Sequence, residues 1–199
     1  MTDDAQLLLD YARRGDVKSF SALVGRHSKW LTAYLRGITP TLADAEDAVQ
    51  ETWVKVIRSC GSYRGGSVRA YLTRVARSAA IDRFRRNGRP AVSVDAVGED
   101  GASLSETLAD GAPPPDAAFE CRATAEEVRR AVRTLPENHR EVLLMRIEAE
   151  LSFKEIAETL GIPLGTALTW MHAATLWLKE DLGKWKCRSP DVESVFSEG

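Results

Sequence analysis

Between Asn87 and Asp116 the chain carries Gly88, Pro90, Gly98, Gly101, Gly111 and the run Pro113-Pro114-Pro115. From Ala91 to Glu120 it has seven acidic residues, no basic one and few large apolar side chains. Such a stretch cannot bury enough apolar surface to offset its ordering entropy, and it reads as a linker. On both sides of it, apolar residues recur with helical spacing. No segment alternates with the period of two that marks a strand. The chain is therefore expected to be all-α: two helical domains, residues 1–87 and 119–182, joined by an acidic flexible linker, residues 88–118, with a tail from 183 to 199.

In the first part Leu7, Leu8, Tyr11 and Ala12, then Phe20, Leu23, Val24, Trp30, Leu31, Tyr34 and Leu35, fall at spacings of three and four. Gly15-Asp16 separates two helices, and Pro40 ends the second. Thr41 or Asp44 can cap a third, whose apolar stripe is Ala45, Val49, Trp53 and Val56. Gly61 to Gly66 is a loop, and Arg69 to Arg86 a fourth helix. In the second part Ser152-Phe153-Lys154-Glu155 has capping-box form. Ile156, Ala157 and Leu160 face inward, Gly161-Ile162-Pro163 makes a tight turn, and Gly165-Thr166 begins the next helix. This is the pattern of a helix-turn-helix.

The net charge of -2 conceals an asymmetry: residues 1–90 hold 16 basic and 9 acidic side chains. A basic half inside a near-neutral chain points to a local polyanion-binding surface. Enzyme motifs are missing. His27, His139 and His172 are isolated, and there is no HExxH, GxSxG or phosphate-binding GxxxxGK[ST]. Asp44 and Asp47 lack partners that would complete a metal site, so no cofactor or metal is expected. Cys60, Cys121 and Cys187 are odd in number and scattered, which suits a reducing cytoplasm. No apolar run approaches the roughly 18 residues of a membrane span, and the acidic N-terminus is unlike a secretory signal.

Three segments together resemble the ECF (extracytoplasmic-function) class of bacterial RNA polymerase sigma factors. Asp44 to Val56, DAEDAVQETWVKV, is similar to the family's polymerase-binding helix. Arg74 to Arg86, RVARSAAIDRFRR, is similar to its promoter-melting helix. Leu135 through Thr166 is similar to its C-terminal DNA-binding domain. The resemblance implies a non-enzymatic initiation factor with core RNA polymerase, promoter DNA and an anti-sigma protein as partners.

The residue chemistry agrees. Asp47, Gln50 and Glu51 lie within about one helical turn, forming an acidic, hydrogen-bonding ridge; the resemblance makes this ridge the polymerase contact. Arg64, Arg69, Arg74, Arg77, Arg83, Arg85 and Arg86 crowd a short stretch that also holds Tyr63, Tyr71 and Ser78. Arginine forks bind phosphate, and aromatic rings offer platforms for unstacked bases. The resemblance places a flipped-base pocket at Tyr63 to Val68 with Tyr71, Arg74 and Ser78 nearby. In the recognition helix Thr166, Thr169, Trp170 and His172 are the candidate DNA contacts. As a coil of roughly 30 residues the linker spans only about 30 Å. Promoter elements about 17 base pairs apart lie nearly 60 Å apart, so simultaneous engagement needs a stretched linker. Whether it is an RNA mimic or an inert tether stays open.

The recognition helix departs from the resemblance. Relatives are basic where this chain has Leu168, Trp170, Ala173, Thr175 and Trp177. Ala167, Met171, Ala174 and Leu178 fill the inward stripe, so an apolar outward face is expected, covered by the first domain, the tail, a second copy or an inhibitor. A helix-turn-helix regulator that binds polymerase or DNA without directing initiation is the alternative reading.

Overall fold

A computed structural model describes residues 3–86 and 125–186. The expected linker, and the tail from Cys187 onward, lie outside the described residues, as do Phe119 to Thr124, where the second helical pattern begins. Among the described residues the structure is helical throughout apart from turns and caps, with no strand.

The first four helices are α1 (Asp4–Arg14), α2 (Val17–Ile38), α3 (Leu42–Ser59) and α4 (Val68–Arg86), with a short 3-10 turn at Cys60–Ser62. Their ends follow the local chemistry. Gly15 closes α1 with φ 67, a left-handed conformation that costs glycine nothing. Asp16 then caps α2 by accepting from the Lys18 amide. Thr41 caps α3 by accepting from the Asp44 amide at 3.1 Å. The buried stripe of α2, Leu23, His27, Trp30, Leu31 and Tyr34, meets Ala45, Ala48 and Val56 of α3. On α4, Leu72, Ala76 and Ala80 close the same core. Small residues at the crossings let α3 and α4 lie side by side, which sets the acidic ridge of one beside the cations of the other.

The second group is α5 (Ala125–Thr134), α6 (Glu137–Ile147), α7 (Phe153–Leu160) and α8 (Leu164–Lys186). The capping box at Ser152 and Glu155 forms reciprocally, and Gly161 ends α7 in the left-handed region with φ 70. Ile156, Ala157 and Ala167 pack beneath the helix-turn-helix. The α8 helix runs on to Lys186, past Gly183, where the sequence pattern gives way to a tail.

The two groups are not separate bodies. Val142, Leu144 and Met145 of α6 belong to the same buried cluster as Tyr34 and Leu35 of α2. Gly37 permits the approach: a Cβ there would lie 2.8 Å from one Leu144 methyl carbon and closer to the other. The sequence offered the first domain as one cover for the face of the recognition helix, but carried no sign that α6 would pack on α2.

Candidate polymerase and DNA interfaces

Asp47, Gln50 and Glu51 do share one face of α3. Gln50 is exposed, and Asp47 and Glu51 are half-buried. Their burial comes from α4. Arg83 approaches Asp47 at 2.6 Å and donates to Asp44 at 3.2 Å. Arg86 donates to both oxygens of Glu51, at 2.6 and 2.5 Å. Two arginines expected to bind DNA thus face the acidic ridge in this conformation. Antiparallel α3 and α4 bring the end of one beside the start of the other, which explains the pairing.

The remaining cations divide by position along α4. Arg74, Arg85 and Ser78 are exposed. Ser78 accepts from Lys55 at 3.0 Å, and the same ammonium reaches Asp82 at 2.5 Å. That pairing holds the Asp82 carboxyl below the usual range, its hydrogen bond outweighing the opposing effect of burial. Arg64 is exposed and donates to the Gly61 carbonyl at 3.0 Å. Tyr63 differs from the expectation of an open stacking platform. It is only 7 % exposed, its hydroxyl donating to the Gly66 carbonyl at 2.7 Å and its ring 5.4 Å from that of Tyr71. Tyr71 is half-buried, with its hydroxyl 2.7 Å from Ser59.

Arg69 and Arg77 lie where the second group of helices meets the first. Arg77 Nε donates to Glu141 Oε1 at 2.6 Å, with Nη2 at 3.4 Å from the other oxygen. Both side chains are largely buried, at 16 % and 11 % exposure. Burial opposes the Arg77 charge, and the Glu141 carboxylate more than restores it. Beside them Tyr34 is wholly buried, and burial together with that carboxylate keeps its hydroxyl protonated. Arg69 sits over the Trp30 ring, 5.5 Å from its centre, and pairs with Glu150 at 3.0 Å. The sequence reading missed Glu141 and Glu150. The available signal was Glu141 itself, a charge three and four residues before Leu144 and Met145 on the buried face of α6.

In the recognition helix Thr169 and His172 are exposed, Thr166 is half-buried, and the Thr169 hydroxyl donates to its own helix at Gly165. Trp170 corrects the expected outward face. It is half-buried against the core, its ring centre 6.3 Å from that of His139. Leu176 and Trp177 do face outward, each 48 % exposed. Ala167 and Ala174 line the inward side as the pattern required. No helix among the described residues is long and apolar enough to cross a membrane, and no cluster of His, Cys, Asp and Glu among them could hold a metal ion.

A unit with an acidic ridge beside an arginine-rich helix, followed by a helix-turn-helix unit, defines a two-part factor of transcription initiation. Residues 23–90 match the family described as Sigma-70 region 2, and residues 125–178 match Sigma-70, region 4. The chain is 30 % identical to the RNA polymerase sigma factor YlaC of Bacillus subtilis, over 83 % of this chain and 93 % of that one. It is 28 % identical to the ECF RNA polymerase sigma factor SigE of Mycolicibacterium smegmatis over 83 % of its own length, spanning 62 % of that longer relative. The fold matches that of the sigma factor RpoE, solved with the anti-sigma factor NepR from Bartonella quintana. The TM-score is 0.62 at 22 % identity, covering 84 % of this chain and 98 % of that one. The chain is also 30 % identical to the ECF RNA polymerase sigma-E factor of Salmonella typhimurium, over 81 % of this chain and 85 % of that one. It belongs to the ECF family of RNA polymerase sigma factors, alternative sigma factors that direct transcription initiation.

Proposed function

We propose that residues 1–87 and 119–182 divide the work of this sigma factor: the first docks on core RNA polymerase and opens promoter DNA, and the second contacts the duplex upstream. Asp47, Gln50 and Glu51 form the docking ridge. Arg74 and Ser78, with Arg64, Arg69, Tyr71, Arg77 and Arg85, handle the melted strand. Residues 88–118 serve as the connecting linker and 183–199 as a tail. The protein works in the cytoplasm and performs no chemistry of its own. An anti-sigma protein holds it inactive, as the complex solved for the Bartonella relative suggests by analogy.

The observation that carries this reading is the arrangement of α3 and α4. The ridge and the exposed Arg74 and Ser78 lie on neighbouring helices that share one buried core. Opening DNA requires cations along the backbone and access to unstacked bases. Multi-round transcription with purified core polymerase and promoter-bearing templates tests it. Promoter-specific transcripts dependent on this chain are expected. Polymerase binding without any transcript would instead favour a regulator that does not direct initiation, the reading that the cation-poor recognition helix supports.

A further inference from the structure

Trp30 is buried, and a buried indole N–H needs an acceptor. His27 supplies it: Trp30 Nε1 donates to His27 Nδ1 at 2.9 Å, and the two rings meet edge to face at 89°. An indole only donates, so Nδ1 is the bare nitrogen and the imidazole proton sits on Nε2. That proton faces Asp4 of α1 at 3.0 Å, and the other Asp4 oxygen accepts from Arg26 at 2.7 Å. The buried imidazole is thus held from both sides. The core does not provide this for every indole: Trp53 Nε1, also buried, has no hydrogen-bond partner among the described residues. The Trp30 ring in turn carries the Arg69 guanidinium over its face, 5.5 Å from the centre. Tryptophan is the strongest aromatic partner for a cation, and the attraction requires the cation to lie over the ring. Arg69 stands in the first turn of α4, half-buried, with Glu150 as its carboxylate partner at 3.0 Å. A run of contacts therefore leads from Asp4 on α1, through His27 and Trp30 on α2, to Arg69 on α4.

We propose that His27 is a positioning residue for DNA contact: its Nδ1 fixes the plane of the Trp30 indole, and that plane sets where Arg69 presents its fork to the melted strand. The inference rests on the assignment of Arg69 to DNA. It differs from a packing role, because any side chain of the right volume fills the space, whereas only an acceptor at the Nδ1 position orients the indole. Two substitutions separate the two ring nitrogens. His27→Asn places an amide oxygen near the Nδ1 position and gives up Asp4. His27→Gln reaches toward Asp4 and leaves the indole without its acceptor.

The test uses the full chain assembled with core polymerase, binding a labelled mixed-sequence single-stranded oligonucleotide, with core polymerase alone as the blank. Arg69→Ala should weaken binding about tenfold, the size of one charge-assisted hydrogen bond. His27→Gln and Trp30→Phe should each weaken it about threefold, the size of a cation–π contact to a part-exposed arginine. His27→Asn should bind at the wild-type level. On an Arg69→Ala background none of the three should add a further loss, because residues that act through one another are not additive. Thermal midpoints are read for every variant, and Trp30→Phe keeps a ring in the core should position 27 not tolerate change. If Arg69→Ala weakens binding while His27→Gln and Trp30→Phe do not, positioning is overturned and the DNA assignment stands. Equal losses in His27→Asn and His27→Gln, losses that persist on the Arg69→Ala background, or losses that follow the thermal midpoints show that His27 acts through the fold, and overturn the proposal likewise. If Arg69→Ala binds as the wild type does, the assignment of Arg69 to DNA falls, and the proposal with it.

Discussion

Arg83 reaches from α4 to within 2.6 Å of Asp47 on α3, so a cation expected to meet DNA instead neutralises part of the acidic ridge. With Arg86 on Glu51, the ridge is braced by its neighbouring helix. Partly exposed pairs of this kind contribute on the order of 1 kcal/mol each, because water and salt screen them. The bracing therefore orients the ridge more than it stabilises the fold.

The docking role makes the first prediction. Reversing charge with Asp47→Arg and Glu51→Arg together should abolish capture by core polymerase. Helicity should be preserved, since both positions lie on the surface of α3 and the pairs they lose are weak. Co-purification with core polymerase, alongside far-ultraviolet circular dichroism, reads both. Capture of the double variant at wild-type level removes the ridge from the mechanism.

Strand opening makes the second. Arg74 is exposed on α4, and single strands offer base faces that a duplex hides. Arg74→Ala should reduce transcription from a fully paired template and be rescued by a pre-melted bubble. Because Arg77 is paired inside the interface, Arg77→Ala should respond differently. It strands Glu141 in a buried position, a loss worth several kcal/mol where no rearrangement is possible, and should lower the thermal midpoint. A bubble that fails to rescue Arg74→Ala shows that this arginine acts before melting or only in the fold.

How far the sequence disclosed this structure depended on whether a signal was local. The helix ends at Gly15, Thr41, Ser152 and Gly161 were readable, because a cap is determined by a few consecutive residues. The inward stripe of α8, with Ala167 and Ala174 buried, followed from period alone. The burial of Tyr63 did not, since an aromatic in a glycine-rich loop fits equally a packed ring or an open platform. Nor did the pairing of Arg77 with Glu141, which are 64 positions apart. Periodicity shows that a face is buried and leaves its partner unspecified. Trp170 shows the same limit: helical spacing put it outward, while the neighbouring α6 brings His139 against it.

The third prediction concerns acid. His27 is 2 % exposed, accepts from Trp30 Nε1 at 2.9 Å through Nδ1, and meets Asp4 at 3.0 Å through Nε2. Burial lowers its pKa, outweighing the opposite pull of Asp4. A histidine whose folded pKa is depressed binds more protons when unfolded. It therefore contributes stability above its unfolded pKa of about 6.5, lost as pH falls toward the folded value. Protonation also leaves Trp30 without its acceptor. Thermal midpoints should fall from about pH 6.5 downward, and His27→Gln should flatten that slope. An unchanged slope in His27→Gln assigns the acid sensitivity to other groups.

The outer face of α8 carries the last prediction. Leu176 and Trp177 are each about half exposed, where the family resemblance leads one to expect cations near Trp177. Duplex affinity arises largely from phosphate neutralisation, each contact adding about 0.9 to the slope of log affinity against log salt. A helix without these cations should bind duplex weakly and with a shallow salt dependence. Trp177→Arg should raise affinity and steepen the slope by about one unit, at little cost in stability because the indole is already half in water. Trp170→Arg should behave otherwise. That indole packs against the core and His139, so a charge there disrupts packing and lowers the thermal midpoint. Fluorescence anisotropy across a salt series, with thermal melts of both variants, separates the two. If Trp177→Arg leaves both affinity and slope unchanged, this stretch of α8 does not lie along the DNA backbone.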